Sequence, residues 1–346
     1  MNKKIFIIFT IIFISLISKN IYCEDNAKIY VIKKLEFQEI NRWYVSYIKK
    51  AIKKAGDEGA SLIILELDTP GGLLSSALSI KNYIIESDIP VVAYINKNAL
   101  SAGALISLSC EAIYMSDGSI IGAATPVYMK GNEIEKAGEK EISAMRAAMR
   151  SSAERSKKNV RIAEAMVDET IILSKRNDGI DLDDKTLLTL SVEEALKVNI
   201  ADGKANSIID IIKLRNLSEN STIINVEEEK YDYILRFLIN PAVLSALISI
   251  GIIGVYIELK TPGFGIGGVI SIIAFSIFFF AQIFVGDSGF LSPAIFLLGI
   301  VLLAIEIFVI PGFGITGILG ILGIVAGIFM SFGINNIERA VLVVFF

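Results

Sequence analysis

From Phe237 to Ile337 the chain carries four formal charges, Glu258, Lys260, Asp287 and Glu306, in a stretch otherwise dominated by aliphatic residues, Phe and Gly. A water-facing surface cannot be built from that composition, so the stretch reads as an all-α, multi-span membrane domain. It divides into the uncharged runs Phe237 to Ile257, Thr261 to Gly286, Ser288 to Ile305 and Ile307 to Ile337. Crossing about 30 Å of hydrocarbon takes about 20 residues, so about four spans are expected. Two junctions repeat: Thr261-Pro262-Gly263-Phe264-Gly265-Ile266-Gly267-Gly268 is similar to Ile310-Pro311-Gly312-Phe313-Gly314-Ile315-Thr316-Gly317. The repeat suggests a duplicated helical hairpin, with Pro and Gly ending one helix before the next begins. Glu258 and Glu306 stand before the two junctions and read as interfacial residues at span ends.

The N-terminus, Met1-Asn2-Lys3-Lys4 followed by IFIIFTIIFISLIS, has the positive head and apolar run of a secretory signal, placed at 1–23. Cys23 marks either a cleavage site or a lipid-modified residue, and a retained anchor helix is the other alternative. With the segment removed only Cys110 remains, which reads as a small buried hydrophobe. Export puts the domain at 24–225 outside the cytoplasm and runs the first span inward, with Lys260 on the cytoplasmic side, as the positive-inside rule prefers. Lys230 and Arg236 on the outer side weigh against that orientation. After Glu338 and Arg339 the chain stops in AVLVVFF, so 338–346 reads as a truncated tail or the start of a further domain.

The 346 residues contain no His, which excludes a Ser-His-Asp triad, a Cys-His dyad and a His-ligated zinc site within one chain. Acid–base chemistry must use Lys, Asp, Glu, Tyr or Cys. A net charge of −4 argues against nucleic acid as a partner. No pattern of metal ligands or cofactor-binding residues stands out.

In the 24–225 stretch short β-rich runs alternate with amphipathic segments, which predicts an α/β domain around a parallel sheet. Strands are expected at Ile29 to Leu35, Leu62 to Leu67, Val91 to Ile95 and Ala112 to Met115. Helices are expected at Trp43 to Lys54 and Leu73 to Ile85. Met129 to Glu141, polar and holding Gly131 and Gly138, reads as a mobile loop before a long helix. That helix shows small residues on one face at Ala144, Met145, Ala148, Ser152 and Ala153. Ser191-Val192-Glu193-Glu194 opens a short helix with a capping box, ending near Gly203. Glu219 to Lys230 reads as a charged stretch leading into the membrane, with the linker between the two domains placed at 226–236.

Two constellations carry candidate chemistry. Asp68-Thr69-Pro70-Gly71-Gly72 follows the strand ending at Leu67, and glycines at a strand-to-helix turn expose N–H groups, the outline of an oxyanion hole. An ordinary β–α turn is the alternative. Asn98-Ala99-Leu100-Ser101-Ala102-Gly103-Ala104 follows the next strand, where Ser101 is either a helix N-cap or a nucleophile with small neighbours. Successive β–α turns of one parallel sheet share an edge, where ligand sites of such sheets lie. Without His, the base has to be a lysine. Lysine has an ordinary pKa of about 10.4, so it acts as a base only where burial lowers that value. Lys140, Lys130 and Lys136 remain equal candidates on pattern alone.

TPGG after a strand, SAGA, IIGAATPV from Ile120 to Val127 and LTLSVEEALKVNIADG together resemble the ClpP-like membrane serine proteases of the NfeD family. More distantly the arrangement is similar to signal peptide peptidase SppA and the ClpP/crotonase superfamily. The resemblance covers nearly the whole chain. It implies a ClpP/crotonase-like domain, a Ser-Lys dyad of Ser101 and Lys140, and oxyanion positions at Gly71, Gly72 and the Ala102 N–H. It also implies a homodimer or larger oligomer and a peptide or membrane-protein substrate, stomatin-like in some members. Long members usually end in an OB-type barrel, absent from this sequence. The rival readings are a non-catalytic scaffold docking a stomatin- or flotillin-like partner, and a crotonase-type acyl-thioester enzyme, against which export argues.

Overall fold

The computed structural model describes residues 27–33, 39–130, 133–261, 265–284, 289–309, 314–333, 340–341 and 343–344. The proposed signal at 1–23, both Pro-Gly-Phe triplets and most of the 338–346 tail lie outside the described residues. The chain forms two compact units, Met1–Glu227 and Glu228–Phe346.

The first unit begins β1 (Lys28–Ile32), α1 (Arg42–Asp57), β2 (Leu62–Thr69), α2 (Leu74–Ile85), β3 (Val91–Leu100), α3 (Ala102–Ser109), β4 (Ala112–Met115), β5 (Ile120–Gly122). It continues β6 (Val127–Lys130), β7 (Glu133–Lys136), α4 (Glu139–Arg155), α5 (Val160–Ala165), α6 (Lys175–Asp178), β8 (Thr189–Ser191), α7 (Val192–Lys197), β9 (Gly203–Lys204), α8 (Ile208–Leu214), β10 (Thr222–Val226). Six strands run parallel in the order β10-β1-β2-β3-β4-β9. Ile29, Val31, Leu62, Ile64, Val92, Tyr94, Ala112 and Tyr114 pack on one face with Ile211 and Ile212 of α8. Their alternates Tyr30, Ile32, Ile63, Leu65, Ala93, Ile95, Ile113 and Met115 are equally buried, so both faces are covered, as a parallel sheet requires.

The expected strands and the first two helices are present, and Ser191 with Glu194 forms the capping box at α7, which ends at Lys197. Three expectations are corrected. The 129–141 stretch is no plain loop: β6 and β7 pair antiparallel as a separate two-stranded ribbon before α4 begins. It reads as polar because a ribbon outside the main sheet needs no continuous core face. The charged stretch contains β10, which pairs in parallel with β1 at the sheet edge. Its full burial is confined to Val226, so apolar alternation is too weak to reveal it. On α4 the buried face is Met145, Ala148, Met149, Ser152 and Ala153, while Ala144 is exposed.

α4 is also fastened by ion pairs, Arg146 to Asp168 and Arg150 to Glu164, the latter at 2.8 Å. The Thr170 hydroxyl and N–H, together with the Arg146 guanidinium, hold the Asp168 carboxyl below the usual carboxylate range.

In the second unit, α9 (Lys230–Leu238) precedes four apolar helices, α10 (Pro241–Lys260), α11 (Ile266–Phe284), α12 (Leu291–Phe308) and α13 (Ile315–Ser331). α10 and α11 are long and apolar enough to cross a bilayer, and two shorter apolar helices follow. The first uncharged run is therefore split, since Phe237 belongs to α9. Phe275, Phe278, Phe279, Phe296 and Phe332 form the core with Leu244 and Ile248. The helices pair as α10 with α11 and α12 with α13, the duplicated hairpin. Glycines bring the backbones together: a Cβ on Gly254 would lie 2.8 Å from the Gly267 carbonyl oxygen, and one on Gly299 would lie 2.7 Å from that of Gly320. Each hairpin is closed by the carboxylate before the turn. Glu258 accepts the Gly265 and Gly268 N–H groups at 2.7 Å each. Glu306, buried, accepts the Gly314 N–H and the Thr316 hydroxyl.

Glu306→Ala strands those two donors and is expected to cost about 1–3 kcal/mol of unfolding free energy. The Gln variant keeps one acceptor oxygen and loses less. Denaturant titration of the full chain in detergent micelles measures both, and an Ala variant as stable as wild type refutes the clamp. For Asp168 the depressed folded value makes its stabilisation complete above the ordinary carboxylate pKa of about 3.9. That contribution fades as pH falls through the lowered value. The melting-temperature gap between wild type and Asp168→Asn should therefore be present at neutral pH and close in strong acid; a gap that widens in acid contradicts the linkage.

Candidate active site

β2 ends at Thr69, whose side chain is buried and turns back on the next residues. Its Oγ1 accepts the Gly71 N–H at 3.1 Å and donates to the Gly71 carbonyl at 3.2 Å. This side-chain turn fixes Gly71 and occupies its N–H. Ile40 then clamps the strand from outside: its N–H donates to the Gly71 carbonyl at 2.7 Å, and its carbonyl accepts the Leu73 N–H at 2.8 Å. The two bonds bracket Gly72 in a parallel bridge. Gly72 thus turns its own N–H to the side away from Ile40. Neither glycine has room for a side chain. A Cβ on Gly72 would meet the Ile40 oxygen at 2.3 Å, and one on Gly71 would meet Ser101 Cβ at 2.5 Å and its Oγ at 3.0 Å.

β3 carries Ser101 to that contact. The ladder between β2 and β3 slips between Leu67 and Thr69, so Thr69 pairs with Ala99. Below the slip Val92 to Ile95 pair with β4, and beyond it Asn98 to Leu100 pair with β5, which runs antiparallel to β8. Asn96 and Asn98 donate side-chain bonds to Glu66 and Asp68, at 2.5 and 3.1 Å, tying the strand ends together. Ser101 follows with φ 53° and ψ −118°, a conformation that costs an L-residue free energy and is kept only where the surroundings impose it. Its N–H donates to the Gly122 carbonyl at 2.9 Å. Ala102 heads α3, where its N–H has no helical partner four residues back. Gly103 admits the Thr69 methyl, which would lie 2.6 Å from a Cβ there.

Among the described residues, Gly72 and Ala102 thus each carry an N–H without a hydrogen-bond partner, one residue from the Gly71–Ser101 contact, where the serine hydroxyl also lies. This donor set suits a carbonyl oxygen that gains negative charge, and it offers nothing anionic to a metal cation. Cys110, at the end of α3, is buried, its Sγ donating to the Ile106 carbonyl at 3.4 Å. Burial pushes its thiol far up, which removes it as a nucleophile.

Lys140 is placed differently. It lies in the first turn of α4, ahead of Met145, the first residue that helix buries, and it is exposed. Among the described residues no hydrogen bond or ion pair joins it to Ser101. The structure therefore brings Gly71, Gly72, Ser101 and Ala102 together and does not supply the burial expected for a lysine base. Of the competitors, Lys136 is exposed and ion-paired with Glu169. α4 is nevertheless coupled to the serine's helix, because the Ser152 and Ser109 hydroxyls meet at 3.1 Å. Sequence reasoning misses Thr69, Ile40 and Gly122 as individual site residues. A threonine two positions before a glycine is a signal for the first; the other two contribute backbone atoms that no residue type announces.

Residues 28–226 match the family described as NfeD1b, N-terminal domain, and residues 242–346 match the NfeD integral membrane domain. Membrane protein NfeD1b of Bacillus subtilis is 35% identical over 296 residues, covering 86% of this chain and 65% of its own length. Membrane-bound protease PH1510 of Pyrococcus horikoshii is 27% identical over 316 residues, covering 85% and 67%. The chain thus spans about two thirds of the length of these relatives. Among solved structures, 1510-N membrane-bound stomatin-specific protease, as a lysine-to-alanine variant with a substrate peptide, aligns with TM-score 0.51 at 26% identity, covering 61% of this chain and 97% of that one. Its serine-to-alanine variant aligns with TM-score 0.50 at 26% identity, covering 59% and 99%. The first unit has a ClpP-like α/β fold and the second is an integral membrane domain, and with both family models matched in order along it, the chain belongs to the NfeD family.

Proposed function

We propose that the chain is a membrane-anchored serine endopeptidase in which Ser101 is the nucleophile and Lys140 the general base. The observation that carries this reading is Ser101 held at positive φ against Gly71, with the Gly72 and Ala102 N–H groups free beside it. A helix N-cap alone would need no such backbone, and Ser101 makes no side-chain cap bond. Support also comes from the relatives, one of them a membrane-bound protease, and from a related solved structure that holds a substrate peptide.

In the mechanism neutral Lys140 takes the proton from Ser101 Oγ as that oxygen adds to the peptide carbonyl carbon. The carbonyl π pair moves onto oxygen, where the Gly72 and Ala102 N–H groups receive it. The C–N bond then breaks, and the lysine ammonium returns the proton to the leaving amine. Water, deprotonated by the same lysine, hydrolyses the acyl-enzyme and regenerates the serine. The sequence pattern offers Gly71 and Gly72 alike for the oxyanion; with the Gly71 N–H engaged by Thr69, the role falls to Gly72. Substrates are apolar segments of membrane-associated proteins, with stomatin-like proteins as the class to test first. The catalytic domain is placed on the extracytoplasmic side, with about four spans and a dimeric or larger assembly.

The exposure of Lys140 favours one alternative, a non-catalytic scaffold for a stomatin-like partner. Peptide-library cleavage by the full chain in detergent separates the two. Ser101→Ala and Lys140→Ala are each expected to lower kcat/KM by about four orders of magnitude. Full activity in the lysine variant rejects the dyad, and failure of a serine-reactive phosphonate to label a folded wild-type chain favours the scaffold.

Thr69→Val removes both bonds to Gly71 while keeping volume and the methyl beside Gly103. It is expected to reduce kcat about ten- to hundredfold, because the oxyanion donor loses its fixed position. Thr69→Ser, which keeps the hydroxyl, should retain most of the rate. Equal rates for the Val and Ser variants would contradict a positioning role.

A further inference from the structure

α9 buries one arc and turns an opposite, apolar arc outward, and the packing within the second unit accounts only for the first. Glu229 and Asp232 form its capping box. At about 100° per residue, positions 232, 235 and 239 share one side. Asp232, Leu235 and Ile239 are indeed buried, with α9 lying against α10 and α11. Tyr233, Ile234 and Phe237 share the other side and are 53%, 59% and 65% exposed. Exposure of that size on consecutive turns matches Ile252 on α10 and Ile272 on α11, at 56% and 58%. A helix that buries Leu235 and Ile239 on one side and exposes an apolar arc on the other is not an ordinary water-facing helix.

We propose that α9 is an interfacial helix that lies in the headgroup–acyl boundary of the bilayer, inserting Tyr233, Ile234 and Phe237. Three features favour lipid over a protein occupant. The arc is continuous with the membrane domain: Ile239 and Asn240 alone separate α9 from α10, and the Asn240 side chain caps α10 by accepting the Ala242 N–H at 2.9 Å. At nine residues α9 is about 13 Å long, too short to cross and suited to lying in the plane. The Arg236 guanidinium lies 5.2 Å from the Tyr233 ring centroid and pairs with Glu228 at 3.1 Å. An amphipathic ring beside a cation suits the headgroup level. Apart from the tyrosine hydroxyl the arc offers a protein partner no hydrogen-bonding group.

The test uses the full chain with Cys23→Ser, Cys110 being buried, in nanodiscs of phosphatidylcholine and phosphatidylglycerol. Nitroxides are attached at Tyr233→Cys and Phe237→Cys, with Ile272→Cys as the lipid reference and exposed Ser218→Cys as the aqueous reference. Collisions with oxygen should exceed those with a water-soluble nickel complex at 233 and 237, as at 272, and nickel accessibility should be several-fold below that at 218. Nickel accessibility equal to that at 218 overturns the proposal, because the arc then faces water. Exclusion of both reagents also overturns it, because a second copy or another protein then covers the arc. Phe237→Trp keeps an apolar ring and gives an independent readout. The emission of the introduced indole should be quenched by lipids brominated high on the acyl chain, while that of Trp43, buried in the other unit, is not; an introduced indole that stays unquenched rejects insertion.

Discussion

The contact between Gly71 and Ser101 is the constraint on which the candidate site depends, because two chain segments approach there more closely than any side chain allows. Ile40 presses Gly72 from one side and Ser101 meets Gly71 on the other, so the segment 71–72 is held between two backbones. The bridge to Ile40 turns the Gly72 N–H away from that residue without help from a ligand. The slip between β2 and β3 serves the same end. It lets β3 part from β4 and join β5, whose Gly122 carbonyl then takes the Ser101 N–H. With its N–H engaged and its Cβ against Gly71, Ser101 is held at a backbone angle that a free turn would relax. In the proposed mechanism the donors are therefore fixed before a substrate arrives, the condition under which N–H groups stabilise developing charge best.

The membrane unit solves a different problem with comparable economy. A helix that starts inside an apolar phase exposes N–H groups that neither lipid nor a preceding turn satisfies. Glu258 and Glu306 each sit in the last turns of one helix and accept donors from the start of the next. The carboxylate closes the hairpin across the turn, while glycines along the paired helices let backbones touch. The repeat in the sequence thus accompanies a repeat of this closure, with Glu258 and Gly265 in one copy and Glu306 and Gly314 in the other. An interfacial position, which the sequence suggests for the two glutamates, says nothing of the N–H groups they bind.

Elements whose apolar pattern faces a core are legible in the sequence. Leu62 to Leu65 and Val91 to Ile95 are buried on both faces and read as continuous apolar runs. Trp43, Tyr47, Ile48 and Ala51 repeat at helical spacing because α1 buries one side. β10, β6 and β7 are illegible for the opposite reason, since an edge strand and an isolated ribbon are specified by backbone pairing that leaves little trace in side-chain pattern. In the site, the glycines and Ser101 are legible because steric exclusion restricts residue type at those positions. Gly122 and Ile40 act through carbonyl and N–H groups that any residue possesses. Lys140 is singled out only through the family resemblance, and its local surroundings carry no mark of a base.

The two halves of the candidate site are held with different firmness. The serine side is rigid: α3 is buried along its whole length, and the strand ends before it are cross-tied by Asn96 and Asn98. Among the described residues the lysine side is anchored from Met145 onward, through the core, Arg146, Arg150 and Ser152, and Lys140 lies ahead of those anchors. A lysine serves as a base only where water is withdrawn from its ammonium group. In the proposed mechanism the components still to be supplied both lie on the lysine side: approach of Lys140 to Ser101 and removal of water from its ammonium group. In that mechanism an apolar peptide bound beside Ser101 would withdraw water from a lysine brought next to it. Preference for apolar substrates and activation of the base would then have one physical cause, desolvation of the same small volume.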